Sequence, residues 1–369
     1  SNSWFKKYTH IFCKRLLMSS IKLIAGTISL KEYDVYYSTG GGSNIGGGSD
    51  VWVNHWIKEI APKLNKPFFL LIDRNRLNTD KDIKHFPYST ICVEAIYRNH
   101  PDFYTILNGA EKIHILHSYY EPTKVILDNA DKIESNVMHC SLYKSLRAHK
   151  DLGLSWLKHF SADDSWEKEM LDIAKKTIWI GLSDTTYHKD YDIIDIPNFY
   201  EFKGDSKAVE SNRVGFCSRM ETRKAPHFLE DIPSYFFTRV DHFKEWKEKL
   251  NLKFNKSRLY QYRWERLESF LQRDDWGISH SAHIYEPFGY SIFQAVDYGK
   301  IPILSEDWLN EIEYPFRAST KEKFEECWKQ ICELDINKRQ GYIDYLKDKL
   351  DRYTDKKEWV NKYLEIYNS

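Results

Sequence analysis

The sequence predicts an α/β chain of two Rossmann-like units, each a parallel sheet wound with helices. Three observations carry that reading. Short apolar runs of strand length alternate with longer helical stretches, a glycine-rich loop joins the first such run to a helix, and the whole pattern restarts after a polar stretch over 201–212. With 369 residues, 42% of them apolar and 29% charged, the chain also exceeds what one hydrophobic core usually serves.

The first strand is read at Asp34 to Ser38, followed by Thr39 and a loop with six glycines between Gly40 and Gly48. A helix follows from Ser49 or Asp50 through Leu64. Phe68 to Ile72, Thr90 to Ala95 and Lys112 to Leu116 read as buried strands, as do Asn136 to His139 and Thr177 to Gly181, with a helix at Trp166 to Lys176 between the last two. Past the boundary, strands are expected at Arg213 to Cys217, Tyr235 to Val240, Ser257 to Tyr262, Trp276 to Ser279 and Ile301 to Leu304. Helices fall at Asp241 to Leu250 and up to Gln272, and one or two long helices run from Lys338 to Tyr367. The expected division is 1–32, a basic amphipathic segment; 33–205 and 206–337, the two α/β units; and 338–369, C-terminal helices packing back across them.

Lys plus Arg balance Asp plus Glu at 54 each, so no global field announces a polyanionic partner. The six cysteines, Cys13, Cys92, Cys140, Cys217, Cys327 and Cys332, show no metal-ligand spacing and point to free thiols in a reducing compartment, the cytoplasm. From Trp4 to Lys22 five cations and no acid accompany Phe5, Tyr8, Phe12 and Leu16 at helical spacing. Such a helix packs on its own domain, docks peripherally on anionic lipid, or touches a nucleic-acid backbone. No acidic pair reads as a metal site; Asp163-Asp164 and Asp274-Asp275 read as loop or cap pairs, so no metal and no cofactor is expected.

Three stretches can carry chemistry. Glycines ahead of a helix let a ligand approach backbone N–H groups at the positive end of its dipole, which singles out Gly46, Gly47 and Gly48. The loop does not fit GxGxxG, since Ile45 stands where the third glycine belongs, and no Lys-Ser/Thr follows. Arg219 and Lys224 follow a predicted strand, where two cations can hold a diphosphate and offset the charge that grows on it as a glycosidic bond breaks. Glu286-Pro287-Phe288-Gly289 turns into a helix bearing Gln294, which places a carboxylate at the helix entrance to grip sugar hydroxyls.

Arg219 with Lys224 five positions on, Glu286-Pro-Phe-Gly with Gln294 eight positions after the Glu, and Gly299-Lys-Ile-Pro beyond resemble the donor-site signature of retaining GT-B glycosyltransferases of the family 4 type. The resemblance runs in order through most of residues 33–310. It implies a GT-B architecture, two Rossmann-like domains facing across a cleft, and a nucleoside-diphosphate sugar such as a UDP-sugar as donor. By it, Arg219 and Lys224 bind the diphosphate, Glu286 contacts the transferred sugar, Phe288 and Gly289 join it in binding the donor, and the Gln294 position meets the nucleotide ribose. His139 matches the cleft histidine near the donor sugar, with His117 as an alternative on the preceding strand and Gly46 to Gly48 on the acceptor or phosphate side. Two departures stand out: Gln294 replaces a second Glu, and Ala225 occupies the position of a glycine after the lysine.

The compact second unit is similar to that of phage α-glucosyltransferases that modify hydroxymethylated pyrimidines in DNA, which makes double-stranded DNA in a host cytoplasm one expected acceptor. The run Lys256, Arg258, Tyr260, Tyr262, Arg263, Trp264, Arg266 mixes cations and aromatics suited to phosphates and an extruded base. A saccharide or lipid-linked glycan in envelope synthesis is the alternative acceptor. A dinucleotide-dependent oxidoreductase, with Asp73 at a strand end as ribose ligand, is the alternative from another class.

Overall fold

The structure is a computed structural model that describes residues 30–39, 48–73, 92–98, 101–117, 124–139, 165–203, 206–220, 222–249, 251–283 and 286–369. The basic segment over 4–22, Gly46, Gly47, Cys13, Cys140 and Asp163-Asp164 lie outside the described residues. Seven parallel strands form the first sheet: β1 (Asp34–Ser38), β2 (Phe68–Ile72), β3 (Cys92–Tyr97), β4 (Lys112–His117), β5 (Ile133–Met138), β6 (Lys176–Trp179) and β7 (Ile193–Asp195), in the order β3-β2-β1-β4-β5-β6-β7. Five form the second: β8 (Val214–Phe216), β9 (Ser234–Thr238), β10 (Ser257–Gln261), β11 (Ile278–Ser281) and β12 (Ile301–Leu304), in the order β10-β9-β8-β11-β12 and again parallel. The described α-helices are α1 (Gly48–His55), α2 (Phe103–Gly109), α3 (Lys124–Leu127), α4 (Ser165–Ile173), α5 (Val240–Lys249), α6 (Trp264–Leu271), α7 (Tyr290–Asp297), α8 (Lys321–Cys332), α9 (Ile336–Leu350) and α10 (Lys356–Tyr367).

The continuous apolar runs of β1 and β2 follow from burial on both faces. Val35, Tyr37, Phe69 and Leu71 pack with Phe103, Ile106 and Leu107 of α2 on one side. Tyr36, Phe68, Leu70 and Ile72 pack with Trp52, Trp56, Trp359, Tyr363 and Tyr367 on the other. Two of those aromatics are on α1 or the turn after it, and three come from α10, at the far end of the chain. Asp355 caps α10 by accepting from the Glu358 N–H at 2.8 Å, and Trp359, Val360, Tyr363 and Tyr367 then share the face turned to the first sheet. The preceding α9 instead buries Ile343, Leu346 and Leu350 in the core of the second sheet.

Local chemistry moved several expected boundaries. The helix read to Leu64 is α-helical only to His55, then widens into a π turn at Trp56–Ile60 and tightens into a 3-10 turn at Ala61–Lys63. Pro62 has no N–H to continue the i→i−4 ladder, so the last turns cannot stay α-helical. The strand expected to start at Trp276 starts at Ile278, and the Trp276 indole, in the connection between the two elements, is tied back to the last turn of α6 by donating to the Phe270 carbonyl at 3.0 Å. β7 and α8 were not anticipated as elements.

The chain crosses between the units near Tyr200 and again near Tyr353, and the Tyr200 N–H donates to the Tyr353 carbonyl at 2.9 Å where the crossings meet. Lys356 bridges Glu201 at 3.0 Å and Glu59 at 3.7 Å beside them. Each sheet has its strand order reverse at one place, between β1 and β4 in the first and between β8 and β11 in the second. In open parallel sheets the crevice outside the carboxyl ends at that reversal is where ligands bind.

Candidate functional site

The two strands at the reversal of the second sheet deliver the predicted donor residues. After β8 the chain bends through Ser218 and the exposed Arg219, then makes a 3-10 turn, Thr222–Lys224, which returns the Lys224 side chain to the interior. After β11 it passes His283 and reaches Glu286. Lys224 Nζ donates to Glu286 Oε2 in a short ion pair between largely buried side chains. His283, 1% exposed, completes a triangle, its Nδ1 lying 3.1 Å from Glu286 Oε2 and 3.3 Å from Lys224 Nζ. On its far side His283 Nε2 meets Ser218 Oγ at 3.4 Å.

Burial alone pushes the Glu286 carboxyl up, but the Lys224 charge, the His283 hydrogen bond and the Arg223 charge outweigh it and hold the group well below the ordinary carboxylate range. Glu286 is therefore ionised at neutral pH. Burial and the adjacent Lys224 push the His283 imidazole down to about 4, so it is neutral there. Ser218, Arg223 and His283 were not singled out from the sequence. Only its place three residues before Glu286 sets His283 apart in the sequence, and nothing in the linear pattern shows what it meets.

The two departures from the family pattern acquire a structural form. Ala225 has φ 47° and ψ 46°, the left-handed region in which a glycine carries no Cβ penalty. The glycine-type turn after Lys224 is thus kept with an alanine. Gln294 is part-exposed on α7, about one and a half turns past Gly289 at its N-cap. Phe288 is a core residue, stacked on Phe293 at 4.5 Å, so it shapes the turn and its ring does not line an open surface. Gly289 has φ 80°, and a Cβ there would stand 2.8 Å from Ile292 Cδ1 and 3.2 Å from Glu286 Cγ. Gly289→Ala is expected to cost about 1–2 kcal/mol from the backbone alone. It should also displace Glu286, so ligand affinity at this turn falls further than the loss of stability, read by chemical denaturation alongside titration, accounts for.

The first unit faces this turn directly, for the Leu182 N–H after β6 donates to the Pro287 carbonyl at 2.9 Å and the His55 ring meets Tyr290 at 6.2 Å. Gly48 opens α1, and Asp50 in its first turn is buried and adds to the forces that raise the Tyr262 hydroxyl, after burial and Cys217, to about 12. His117 at the end of β4 is buried and pairs through Nδ1 with Thr39 Oγ1 at 2.7 Å. His139, just past β5, donates from Nε2 to the Leu116 carbonyl at 2.7 Å and packs edge-on to Trp52 and His117. Burial, opposed by that hydrogen bond, holds it at about 4, which leaves a neutral ring whose Nδ1 has no hydrogen-bond partner among the described residues. His117 and His139 thus sit together, on the opposite unit from Lys224 and Glu286.

The alternative ribose ligand Asp73 is already engaged, accepting from the Tyr37 hydroxyl and pairing with Arg98 at 3.2 Å. Asp275 is likewise held by Arg273 at 2.9 Å and by the Tyr235 hydroxyl at 2.9 Å. Asp184, His188 and Asp195 form a cluster of metal-capable side chains. His188 Nδ1 accepts from the Thr185 N–H at 2.9 Å, so its proton is on Nε2, 3.1 Å from Asp195, and the ring keeps no lone pair for a cation. That cluster is a helix cap. No helix among the described residues is long and apolar enough to cross a membrane.

Buried histidines make acid sensitivity an expected property. Burial pushes His114 down to about 3, His139 and His283 to about 4 and His280 well below the ordinary 6.5. Their folded values lie below the unfolded one, so their contribution is complete above about pH 6.5 and is lost as the pH falls toward the folded values. Unfolding free energy should drop by about 1.4 kcal/mol per pH unit for each such histidine between about pH 6.5 and 4. Denaturant melts at several pH values across that window check it, and a flat profile would contradict it.

No protein-family model matches the chain, and no curated protein matches it. Solved structures do. The chain is similar to a glycosyltransferase from Rickettsia africae ESF-5, with a TM-score of 0.53 and 12% identity over 91% of this chain and 98% of that one. It is also similar to an α,α-trehalose-phosphate synthase (UDP-forming) from Burkholderia vietnamiensis, at 0.54 and 10% over 92% and 99%. The catalytic domain of starch synthase IV from Arabidopsis thaliana, bound to ADP and acarbose, matches at 0.53 and 13% over 92% and 99%. At such identities the likeness is one of fold. The protein has the GT-B architecture, two Rossmann-like domains of mixed α/β structure, and its solved neighbours are GT-B glycosyltransferases.

Proposed function

We propose that the protein is a retaining glycosyltransferase of the family 4 type that moves a sugar from a nucleoside-diphosphate sugar, such as a UDP-sugar, to an acceptor hydroxyl. The observation that carries this reading is the buried Lys224–His283–Glu286 triangle at the strand-order reversal of the second sheet. A buried ammonium beside an ionised carboxylate, with Arg223 and the exposed Arg219 nearby in sequence, suits a ligand with a diphosphate at one end and hydroxyls at the other. The neighbours in fold support the same donor class, one being UDP-forming and another bound to ADP.

In this reading Lys224 and Arg219 stabilise the charge on the departing diphosphate, and Glu286 orients the sugar through its hydroxyls. The bond between the anomeric carbon and the phosphate oxygen breaks while the acceptor oxygen bonds to that carbon on the same face. The acceptor proton passes to a phosphate oxygen of the leaving group. His139, neutral and with Nδ1 unpartnered, offers an acceptor for a sugar hydroxyl from the other domain. Gln294 holds the ribose by a neutral amide in place of a carboxylate. Gly48 at the start of α1 and His117 are assigned to the acceptor side, and neither metal nor cofactor has an assigned step.

For the acceptor we propose a hydroxymethylated pyrimidine in phage DNA. The supporting observation is a surface one. Arg258, Arg263 and Arg266 are exposed and form no ion pair among the described residues, while Arg239, Arg273 and Arg352 each hold a carboxylate. Trp264, the first residue of α6, stands beside Arg263 and Arg266 40% exposed, just past the edge strand β10. Unpaired arginines beside an exposed indole suit phosphates and a stacked base. The test is release of nucleoside diphosphate from a panel of nucleotide sugars with hydroxymethylated DNA, ordinary DNA or a glycan mixture as acceptor. Turnover on hydroxymethylated DNA alone is the expected result. Turnover on glycans alone overturns the acceptor, and no release or binding with any donor overturns the transferase.

A further inference from the structure

We infer that His283 is a positioning residue that keeps the Glu286 carboxylate placed and partnered when Lys224 leaves it for the donor's diphosphate. This rests on the donor-site reading above and adds a residue and a sequence of contacts that the family pattern does not supply.

In the structure Lys224 and Glu286 satisfy each other. A diphosphate entering the site competes for the same ammonium, and an ammonium drawn to phosphate oxygens can no longer serve the carboxylate in full. Glu286 would then be a mostly buried anion without its cation, an expensive arrangement unless another donor holds it. His283 is that donor. Its Nδ1 lies 3.1 Å from the same Oε2 that Lys224 holds, so the second contact exists before the first is lost.

Ser218 supports the direction of this hydrogen bond. The ionised Glu286 can only accept, which calls for the imidazole proton on Nδ1, and the Ser218 hydroxyl, 3.4 Å from Nε2, suits that arrangement by donating there. The ring also ties together the two adjacent strand ends that make the site, since Ser218 follows β8 and precedes Arg219, while His283 follows β11. Buried at 1% exposure, it has little freedom to leave that place. Lys224 and Glu286 can therefore exchange partners without the turn that carries Glu286 losing its position.

The test separates the sugar's share of binding from that of the diphosphate. Full-length wild type and variants are titrated calorimetrically with the UDP-sugar that supports turnover in the donor panel, UDP-glucose being tried first, and with UDP alone. His283→Asn keeps an N–H near the Nδ1 position, His283→Gln moves it toward Nε2, and His283→Ala removes it. The expected result is that His283→Ala weakens the UDP-sugar roughly tenfold or more, as for a lost hydrogen bond to a charged group, while UDP changes much less. His283→Asn should restore most of the difference and His283→Gln should not. Thermal melts report whether each variant folds, and if His283→Ala does not, the Asn and Gln pair decides alone. Unchanged binding in His283→Ala, or Asn and Gln behaving alike, overturns this role while leaving the donor site standing. A wild type that binds no nucleotide sugar overturns the donor-site reading itself and this inference with it.

Discussion

Lys224→Ala should cut sugar transfer by about 10²–10³-fold, the range seen when one preorganised donor to a developing charge is removed. The loss has two parts. The departing diphosphate loses a buried cation, and Glu286 loses the largest force holding its carboxyl ionised against burial. Glu286 should accordingly take up a proton at higher pH in the variant than in the wild type, so residual activity should rise with pH over a range where the wild type is already flat. Lys224→Arg keeps the charge but cannot fit a planar guanidinium where a single Nζ reaches Oε2 beside the buried His283 ring, so only partial recovery is expected. Measuring donor-dependent diphosphate release across pH checks both statements. Wild-type turnover in Lys224→Ala would remove the residue from the mechanism.

The largest expected effect on stability lies far from that site. Arg339 is 1% exposed and donates to the carbonyls of Leu334 at 3.4 Å, Val209 at 3.1 Å, Ser211 at 3.0 Å and Ile331 at 3.0 Å, and also to Asn212 Oδ1. It clamps the connection between the two sheets onto α9. Gly277 and Gly299 let that same connection run close, since a Cβ at Gly277 would stand 2.4 Å from the Ser211 carbonyl oxygen and one at Gly299 1.8 Å from that of Lys207. Arg339→Leu strips the guanidinium from those buried acceptors, of which the Ile331 carbonyl keeps the Leu334 N–H, and roughly 3–5 kcal/mol of stability should go with it. Arg339→Lys should recover a fraction, because one ammonium reaches fewer acceptors than the five-donor fork. Denaturant unfolding followed by tryptophan fluorescence reads the difference, and a variant within about 1 kcal/mol of wild type would contradict the clamp.

How much of this was legible in the chain differs from element to element. β1 and β2 could be placed residue by residue, because strands buried on both faces must be apolar throughout and turn residues bracket them. The Trp276 start failed, and the indole hydrogen bond to Phe270 that ties this residue back to the preceding helix is a contact invisible in a linear pattern. In the site, Lys224 and Glu286 were singled out by their order and spacing and meet in the structure, whereas the exposed Arg219 stays apart from them and the left-handed turn at Ala225 was left open, because an alanine in a glycine's position does not fix the loop. His283 and Ser218 were not singled out, because neither residue type is unusual at a strand end and their meaning arises only from meeting each other.

The sequence by itself determined the α/β class, the repeated winding and the candidate donor residues, since these depend on local periodicity, turn chemistry and the reach of charged side chains along one segment. Only the tertiary structure decided that Lys224, His283 and Glu286 close into one buried triangle, and that Asp73 is already taken by Tyr37 and Arg98. The same holds for α10, which returns past the second sheet to cover the first with Trp359, Tyr363 and Tyr367. Each of these joins residues tens to hundreds of positions apart, and which distant groups share a buried space is fixed by how the sheets stack and the strands reverse, not by anything a short stretch of chain encodes.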